Sequence, residues 1–152
     1  MTIEAPISKS KKNNLKIYIF VCIVVAVWFG YDGYFSENFI QKHTKDGKPD
    51  STLVFNQKAP PFFIAAGGLL GVYFLAIKNK KLIANENELV ISSKEKIAYD
   101  SILKIDKTSF DSKGFFVITY KNNNGSEVDR KISDRTYDNL PAVLDKLVAK
   151  IS

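Results

Sequence analysis

The sequence predicts a two-span α-helical membrane hairpin followed by a small antiparallel β-barrel or β-sheet domain with a C-terminal capping helix. Three observations lead to this fold class. Apolar residues are concentrated in two blocks, although hydrophobic residues make up only 45% of the 152-residue chain. Short segments of alternating polar and apolar residues follow the second block. The C-terminal segment then repeats apolar side chains with a helical period.

The first apolar block predicts a membrane span over residues 15–35, preceded by a basic tail at residues 1–14. Its centre is an unbroken apolar run at positions 17–29, and about 20 such residues cross the hydrocarbon core. The run has no polar face, unlike the amphipathic helix of a soluble core. A cleaved signal peptide is the alternative, because lysines precede the run. Bulky aromatic residues follow it, however, where a small-residue cleavage site would lie.

The end of the first block combines aromatic residues with one carboxylate. Trp28, Tyr31, Tyr34 and Phe35 are expected to form an aromatic belt at the far membrane interface. Asp32 lies among them, so we expect an ionised carboxylate at the membrane surface. A carboxylate at membrane depth, serving as a proton or ion site, is an alternative. Contact of these residues with a partner protein is another, which makes Trp28, Tyr31, Asp32 and Tyr34 interface candidates.

The segment between the blocks, residues 36–61, is predicted to be an outer loop. Ser36 is a suitable N-cap for a short helix at residues 37–43, and "KDGKPD" indicates a turn. Residues 52–55 read as a short extended piece. Pro60 and Pro61 would then occupy the first turn of a helix whose membrane span covers residues 62–78.

Glycines have different expected roles in the two spans. Gly30 and Gly33 are expected to loosen the end of the first helix. Gly67 and Gly71 form a G-x-x-x-G pattern, which permits close helix packing. The first span is the expected partner of these two interface candidates, and self-association is the alternative.

The sequence offers little for catalysis or metal binding. His43 is the only histidine, and we expect it to be a solvent-exposed loop residue without the neighbours of a metal site. One histidine leaves no nucleophile–histidine–acid set, and no glycine-rich phosphate loop follows a strand. We therefore expect no enzyme activity, no cofactor and no metal.

The net charge of +6 lies beside the apolar blocks. Residues 1–30 carry four lysines and one glutamate, residues 62–81 carry three lysines, and the remaining segments are neutral. Basic residues beside spans follow the positive-inside bias, so both termini are expected to be cytoplasmic. The excess charge is confined to these positions and accompanies no nucleic-acid motif, so nucleic acid is not an expected partner.

Alternation after residue 80 predicts several short antiparallel strands, at residues 81–84, 88–92, 96–98, 102–108, 115–120 and 127–132. Asn124-Gly125 is a tight-turn signal between the last two strands. A C-terminal helix follows, with Asn139 as a suitable cap, Pro141 in the first turn and an apolar face that includes Leu140 and Leu144.

This order of elements, with "LIANENELVIS", "KIAYDSILKID", "GFFVITYKNNNGSE" and "LPAVLDKLVAKI", resembles a bacterial pleckstrin-homology-like (PH-like) domain over residues 80–152. The resemblance implies a partly open barrel of roughly seven strands, capped by a helix, that binds or scaffolds. Lipid-binding relatives carry basic residues around the first hairpin. The turn taken as its equivalent, "NENE" at residues 85–88, is acidic here, so no phosphoinositide site is carried over.

These observations lead to one expected function and one alternative. The first is a non-enzymatic integral membrane protein of a bacterial-type inner membrane, an accessory or scaffolding subunit with a cytoplasmic PH-like domain. Its partners would be the lipid bilayer and another protein, or a second copy of the chain. The alternative is a lipid-headgroup sensor, in which Lys78, Lys80 and Lys81 add electrostatic attraction to anionic lipid.

Overall fold

The computed structural model describes residues 1–151 and divides the chain into two compact units. Residues 13–75 form a helical unit, and residues 1–12 join the segment from residue 76 onward in a mainly β unit. In chain order, the helices and strands are β1 (Ile3–Pro6), α1 (Lys9–Tyr34), α2 (Glu37–Lys42), β2 (Thr44–Lys45), β3 (Lys48–Pro49), α3 (Ser51–Ile77), β4 (Lys81–Ala84), β5 (Glu88–Val90), β6 (Lys96–Ala98), β7 (Ile102–Asp106), α4 (Phe110–Lys113), β8 (Phe115–Lys121), β9 (Glu127–Ser133) and α5 (Leu140–Ile151).

The two long helices, α1 with 26 residues and α3 with 27, are long and apolar enough to cross a membrane. Only 11% of the most apolar part of α1 and 17% of that of α3 is buried by the protein itself. Neither helix is therefore the core helix of a described domain. The sequence prediction of two long apolar helices, followed by antiparallel sheets and a C-terminal helix, is confirmed.

The start of α3 differs from the prediction. Residues 52–55 are helical rather than extended, and Pro60 and Pro61 lie well inside the helix instead of in its first turn. Asp50 explains the earlier start, because its Oδ1 accepts a hydrogen bond from the backbone nitrogen of Leu53 at 3.0 Å and caps the helix. A sequence rule that begins helices at proline overlooked this carboxylate.

The connection from α1 to α3 is folded. Short helix α2 leads to the two-residue ladder of β2 and β3, which turns at Asp46 and Gly47 with positive φ angles of 50° and 73°. His43 is not the exposed residue that the sequence suggested. It is half-buried, its Nδ1 lies 2.8 Å from Oδ2 of Asp50, and its ring packs on that of Phe39.

The mainly β unit contains two antiparallel sheets. The first has the strand order β1-β4-β5-β6 and the second the order β7-β8-β9. Strands β4 and β6 coincide with the predicted segments, and Gly125, with a φ of 77°, lies in the turn between β8 and β9 where Asn124-Gly125 predicted it. The sheets do not close into one barrel.

A single hydrophobic core joins both sheets to α5. Phe116 and Ile118 of β8 and Leu82 and Leu89 of the first sheet are fully buried. Helix α5 covers them with the apolar face that its periodicity predicted; its buried residues are Leu140, Val143, Leu144 and Leu147. Arg130 of β9 and Glu95 of the β5–β6 turn form an ion pair of 3.0 Å between the sheets.

Strand β1 is the element that the sequence analysis missed. Residues 3–6 pair antiparallel with β4, in the register Ile3↔Ala84 to Pro6↔Lys81. The prediction treated this segment as part of a basic tail, and it placed no strand before α1. With β1 in the sheet, the turn at residues 85–88 joins the second and third strands. The sequence comparison had taken this turn as the equivalent of the first hairpin.

We expect Ala5→Asp to destabilise the β unit strongly. Ala5 is fully buried opposite Leu82, and an unpaired carboxylate in that position should lower the free energy of unfolding by about 3 kcal/mol or more. Thermal unfolding of the full-length protein in mild detergent measures the effect. Glu4→Gln, at the exposed neighbouring position, is the control and should cost at most about 1 kcal/mol. Equal stability of the two variants would contradict the role assigned to β1.

Candidate functional site: binding surfaces of the helix pair and of the domain

The aromatic end of α1 is exposed. Trp28, Tyr31 and Tyr34 have exposed fractions of 64%, 60% and 59%, and Phe35 follows them with another exposed ring. These side chains therefore form a surface that the described part of the chain leaves uncovered. Their rings combine an apolar body with a polar tip, which suits both a membrane interface and a protein contact.

Asp32 is hydrogen-bonded within its own helix. The indole nitrogen of Trp28 donates to Oδ2 of Asp32 at 2.8 Å, one helical turn away. Among the described residues, no lysine or arginine forms an ion pair with this carboxylate. An indole N–H is only a donor, so this hydrogen bond orients the Trp28 ring towards the carboxylate.

A polar contact joins α1 to α3 where the prolines interrupt the helical hydrogen bonds. Pro61 has no N–H to donate to the backbone oxygen of Gln57, four residues earlier. The hydroxyl of Tyr34 donates to that oxygen at 2.9 Å instead. The side-chain amide of Gln57 in turn donates to the backbone oxygen of Gly33 at 3.0 Å. The neighbouring helix thus supplies a donor for the carbonyl that the proline leaves without its usual partner.

Gly33 permits this contact because it has no side chain. A Cβ atom at Gly33 would lie 2.9 Å from the backbone carbon and oxygen of Asn56, which is closer than real contacts allow. Nearby, Phe29 packs edge-on against Phe55 with ring centroids 5.4 Å apart. Gly33 therefore packs against the backbone of α3 at Asn56. The sequence had suggested only that it loosens the end of α1.

The two glycines of the G-x-x-x-G pattern have different surroundings. A Cβ atom at Gly67 would lie 3.3 Å from Cβ of Cys22, so this glycine packs against α1. A Cβ atom at Gly71 would meet nothing within 4 Å. The helix pair therefore uses Gly67 and leaves Gly71 open.

The three lysines that follow α3 are exposed, but their surroundings differ. Lys81 forms an ion pair with Glu4 at 2.5 Å across β1 and β4. Lys78 and Lys80 have no ion-pair partner among residues 1–151. The backbone oxygen of Lys80 accepts a hydrogen bond from the backbone nitrogen of Ile7 at 3.1 Å and so continues the β1–β4 pairing.

The start of α1 is held by the loop that precedes α5. Ser8 is buried; its Oγ accepts from the backbone nitrogen of Lys11 at 3.1 Å and donates to the backbone oxygen of Arg135 at 2.9 Å. Oδ2 of Asp138 accepts from the backbone nitrogen of Lys9 at 3.1 Å. A serine cap and a carboxylate at the first turn both stabilise a helix N-terminus.

Sequence reasoning missed the contacts that hold the start of α1, although two signals were present. Ile3, Ala5 and Ile7 alternate with polar residues and proline, which is the period of a strand. Ser8 immediately precedes a helical segment, as an N-cap does. Asp138 gave no comparable signal, because its role depends on a residue 129 positions away.

Glu86 is the centre of a charge cluster at the β4–β5 turn. Its carboxylate contacts the N-terminal ammonium of Met1, Lys150 at 3.0 Å and Lys146 at 3.3 Å. The hydrogen bond from the ammonium, followed by those from Lys150 and Lys146, lowers the pKa of Glu86 from its ordinary value of 4.5 to about 2. This acidic turn is therefore neutralised by the chain itself.

Residues 1–151 contain no group of three or more histidine, cysteine or acidic residues that could hold a metal ion. No family model, no curated protein and no solved structure matches this chain. The surfaces described above are consequently the basis for a functional proposal.

We expect the Tyr34 hydroxyl to matter only while Pro61 is present. Tyr34→Phe should lower the free energy of unfolding of the helix pair by about 1 kcal/mol, since it leaves the Gln57 oxygen without a donor. In a Pro61→Ala background the new backbone N–H can bond that oxygen, and the loss should shrink. Detergent-titrated unfolding of the four proteins in a double-mutant cycle measures the coupling. Tyr31→Phe is the control, and an equal loss in both backgrounds would contradict the interpretation.

The low pKa of Glu86 predicts a pH-dependent contribution to stability. Because folding depresses this pKa, the contribution is present above about pH 4.5 and is lost as the pH falls towards about 2. Glu86→Gln should therefore lower the unfolding temperature at pH 7, and its difference from the wild type should vanish over this acidic range. Thermal unfolding of both variants and the wild type, measured in parallel over this pH range, tests the prediction. Glu127→Gln is the control. A difference that stays constant down to pH 2 would refute the linkage.

Proposed function

We propose that the chain is a two-span integral membrane protein of a bacterial-type inner membrane. In this proposal it presents a non-enzymatic PH-like domain on the cytoplasmic side and acts as an accessory or scaffolding subunit. The observation that carries the proposal is the pairing of β1 with β4. These strands immediately precede and follow the apolar helix pair, so the chain leaves one domain, forms both helices and returns to that domain.

Two membrane crossings fit this connectivity. A chain that crosses a bilayer twice returns to its original side, which allows β1 and β4 to meet in one sheet. A single crossing would leave them on opposite sides. The connections are short, since only residues 7–8 separate β1 from α1 and residues 78–80 separate α3 from β4.

The exposed surface of the helices supports insertion in a bilayer. Large apolar side chains project from both helices, and burying each fully would contribute about 1.5–3 kcal/mol. Those more than 60% exposed on α1 and α3 are Phe20, Val27, Trp28, Phe62, Ile64, Leu69, Val72 and Leu75. Water is a poor solvent for such a continuous surface, and hydrocarbon is a suitable one.

The strand also argues for an uncleaved first helix. Cleavage after α1 would remove β1 together with buried Ala5, Ile7 and Ser8. The β unit would then lose one edge of its sheet and part of its core. An anchor that stays attached keeps this domain complete, whereas a cleaved signal peptide would not.

The PH-like assignment has support from the arrangement of strands. Within residues 1–151, the β unit has sheets of four and three strands and a C-terminal helix that covers their common core. The resemblance in sequence, over residues 80–152, implied roughly seven strands and a terminal helix. That segment supplies six of the strands, and β1 supplies the seventh from outside it. The lysines beside both helices favour the cytoplasmic side for this domain.

A binding role for the helix pair follows from its uncovered aromatic end. Tyr31 is 60% exposed, and the Trp28 ring beside it is oriented by its hydrogen bond to Asp32. We expect a partner protein to contact this surface, and Gly71 offers a second place where another helix can approach closely.

Two measurements test the proposal. Alkaline carbonate extraction of native membranes should leave the full-length protein in the pellet, and its release would contradict membrane integration. Purification in mild detergent, followed by particle-mass determination and mass spectrometry, should give an assembly with fixed stoichiometry. A bare monomer or homodimer would contradict the subunit role. Tyr31→Ala should weaken the assembly, while Leu69→Ala, an exposed apolar control on α3, should not.

A further inference from the structure

A groove of about 470 Å³ lies on the outer face of the first sheet of the β unit. Its floor is apolar and its rim is basic. Ile83 of β4 and Val90 of β5 are direct cross-strand partners and lie side by side in the floor. The residues that line the rim are Lys80, Lys81, Ser92, Ser93 and Lys94.

The charges around the groove are not all available to a ligand. Lys81 is paired with Glu4, and Lys96, which is the strand partner of Val90, is paired with Glu88 at 3.4 Å. Lys80 and Lys94 have no ion-pair partner within the described chain. The rim of the groove therefore carries uncompensated positive charge beside an apolar floor.

The turn between β5 and β6 adds hydroxyl groups to the same rim. Oγ of Ser92 accepts from the backbone nitrogens of Lys94 at 3.3 Å and Glu95 at 3.1 Å, which fixes the turn. Its hydrogen is still available to a further acceptor, because a hydroxyl both donates and accepts. Ser93 lies beside it on the rim. Ammonium and hydroxyl donors around one space are suited to the oxygens of a phosphate group.

We propose that this groove binds a phosphate-bearing anion, with Lys80 and Lys94 pairing with its charge. The inference rests on the proposed function, since membrane insertion of α3 would bring Lys80, three residues after Ile77, to the lipid surface. An anionic lipid headgroup and free phosphate share this chemistry. The apolar floor favours the lipid, because the glycerol and first acyl carbons can cover Ile83 and Val90.

The site is distinct from the three-lysine attraction that sequence analysis suggested. It adds Lys94, Ser92 and Ser93 from a turn that the sequence placed in no functional group, and one of the three original lysines, Lys81, is paired with Glu4. A general electrostatic attraction depends on the number of charges near a surface. The groove requires two particular lysines on the rim that surrounds Ile83 and Val90.

Native mass spectrometry of the full-length protein in mild detergent tests the site. Phosphatidylglycerol and phosphatidylcholine with the same acyl chains are titrated separately, and we expect tighter retention of phosphatidylglycerol. The double variant K80Q/K94Q should weaken its binding about tenfold or more, because each lysine near an anionic lipid surface contributes on the order of fivefold. Lys113→Gln with Lys121→Gln is the matched control, which removes two exposed charges elsewhere on the domain.

The outcomes separate the explanations. Loss in K80Q/K94Q alone supports the groove, whereas an equal loss in the control or unchanged binding in K80Q/K94Q overturns it. If millimolar inorganic phosphate displaces the lipid, the groove binds phosphate, and its ligand is a soluble phosphate rather than a lipid headgroup. Thermal unfolding of both double variants verifies that they are folded. The carbonate extraction described above fails or succeeds independently, so failure of the proposed function is distinguishable from failure of this site.

Discussion

The backbone pairing of residues 3–6 with residues 81–84 is the constraint on which the rest of this structure depends. It makes one sheet from two segments that are separated by the whole helical unit. Ala5 and Leu82 then enter the core that both sheets share with α5. The same pairing places Ser8 at the N-terminus of α1, which it caps, and places β4 directly after α3. Without it, the β unit would lack an edge strand, and the two ends of the helix pair would have no common attachment.

A second principle operates in the helical unit, where polar backbone groups have few partners. Pro61 removes a hydrogen bond from α3, and Tyr34 replaces it from α1. Gly33 brings the two backbones close enough for this exchange. An unpaired backbone carbonyl is costly where water does not reach it, so the interruption of one helix is matched by a specific contact with the other. The aromatic surface next to this contact is exposed.

Elements whose signal lies in the alternation or period of their own side chains were predicted from the sequence. The strands at residues 81–84 and 96–98 follow the alternation of their side chains, and the apolar face of α5 follows its period. Strand β1 escaped because it is four residues long and its partner lies at least seventy-five positions away. The start of α3 escaped because Asp50 caps it from a turn, while the prolines suggested a later start. Among the candidate site residues, sequence identified the exposed aromatics, but it could not distinguish packed Gly67 from open Gly71, or paired Lys81 from Lys80.

Disulfide trapping in native membranes tests the β1–β4 pairing most directly. In a Cys22→Ala background, Glu4→Cys is combined with Ile83→Cys, its direct strand partner on the outer face. The comparison pair combines Glu4→Cys with Val90→Cys, one strand further away and about 10 Å distant. Disulfides require Cα atoms within about 7 Å. The account predicts rapid oxidation of the first pair and little of the second. Equal oxidation of both pairs, or of neither, would contradict it.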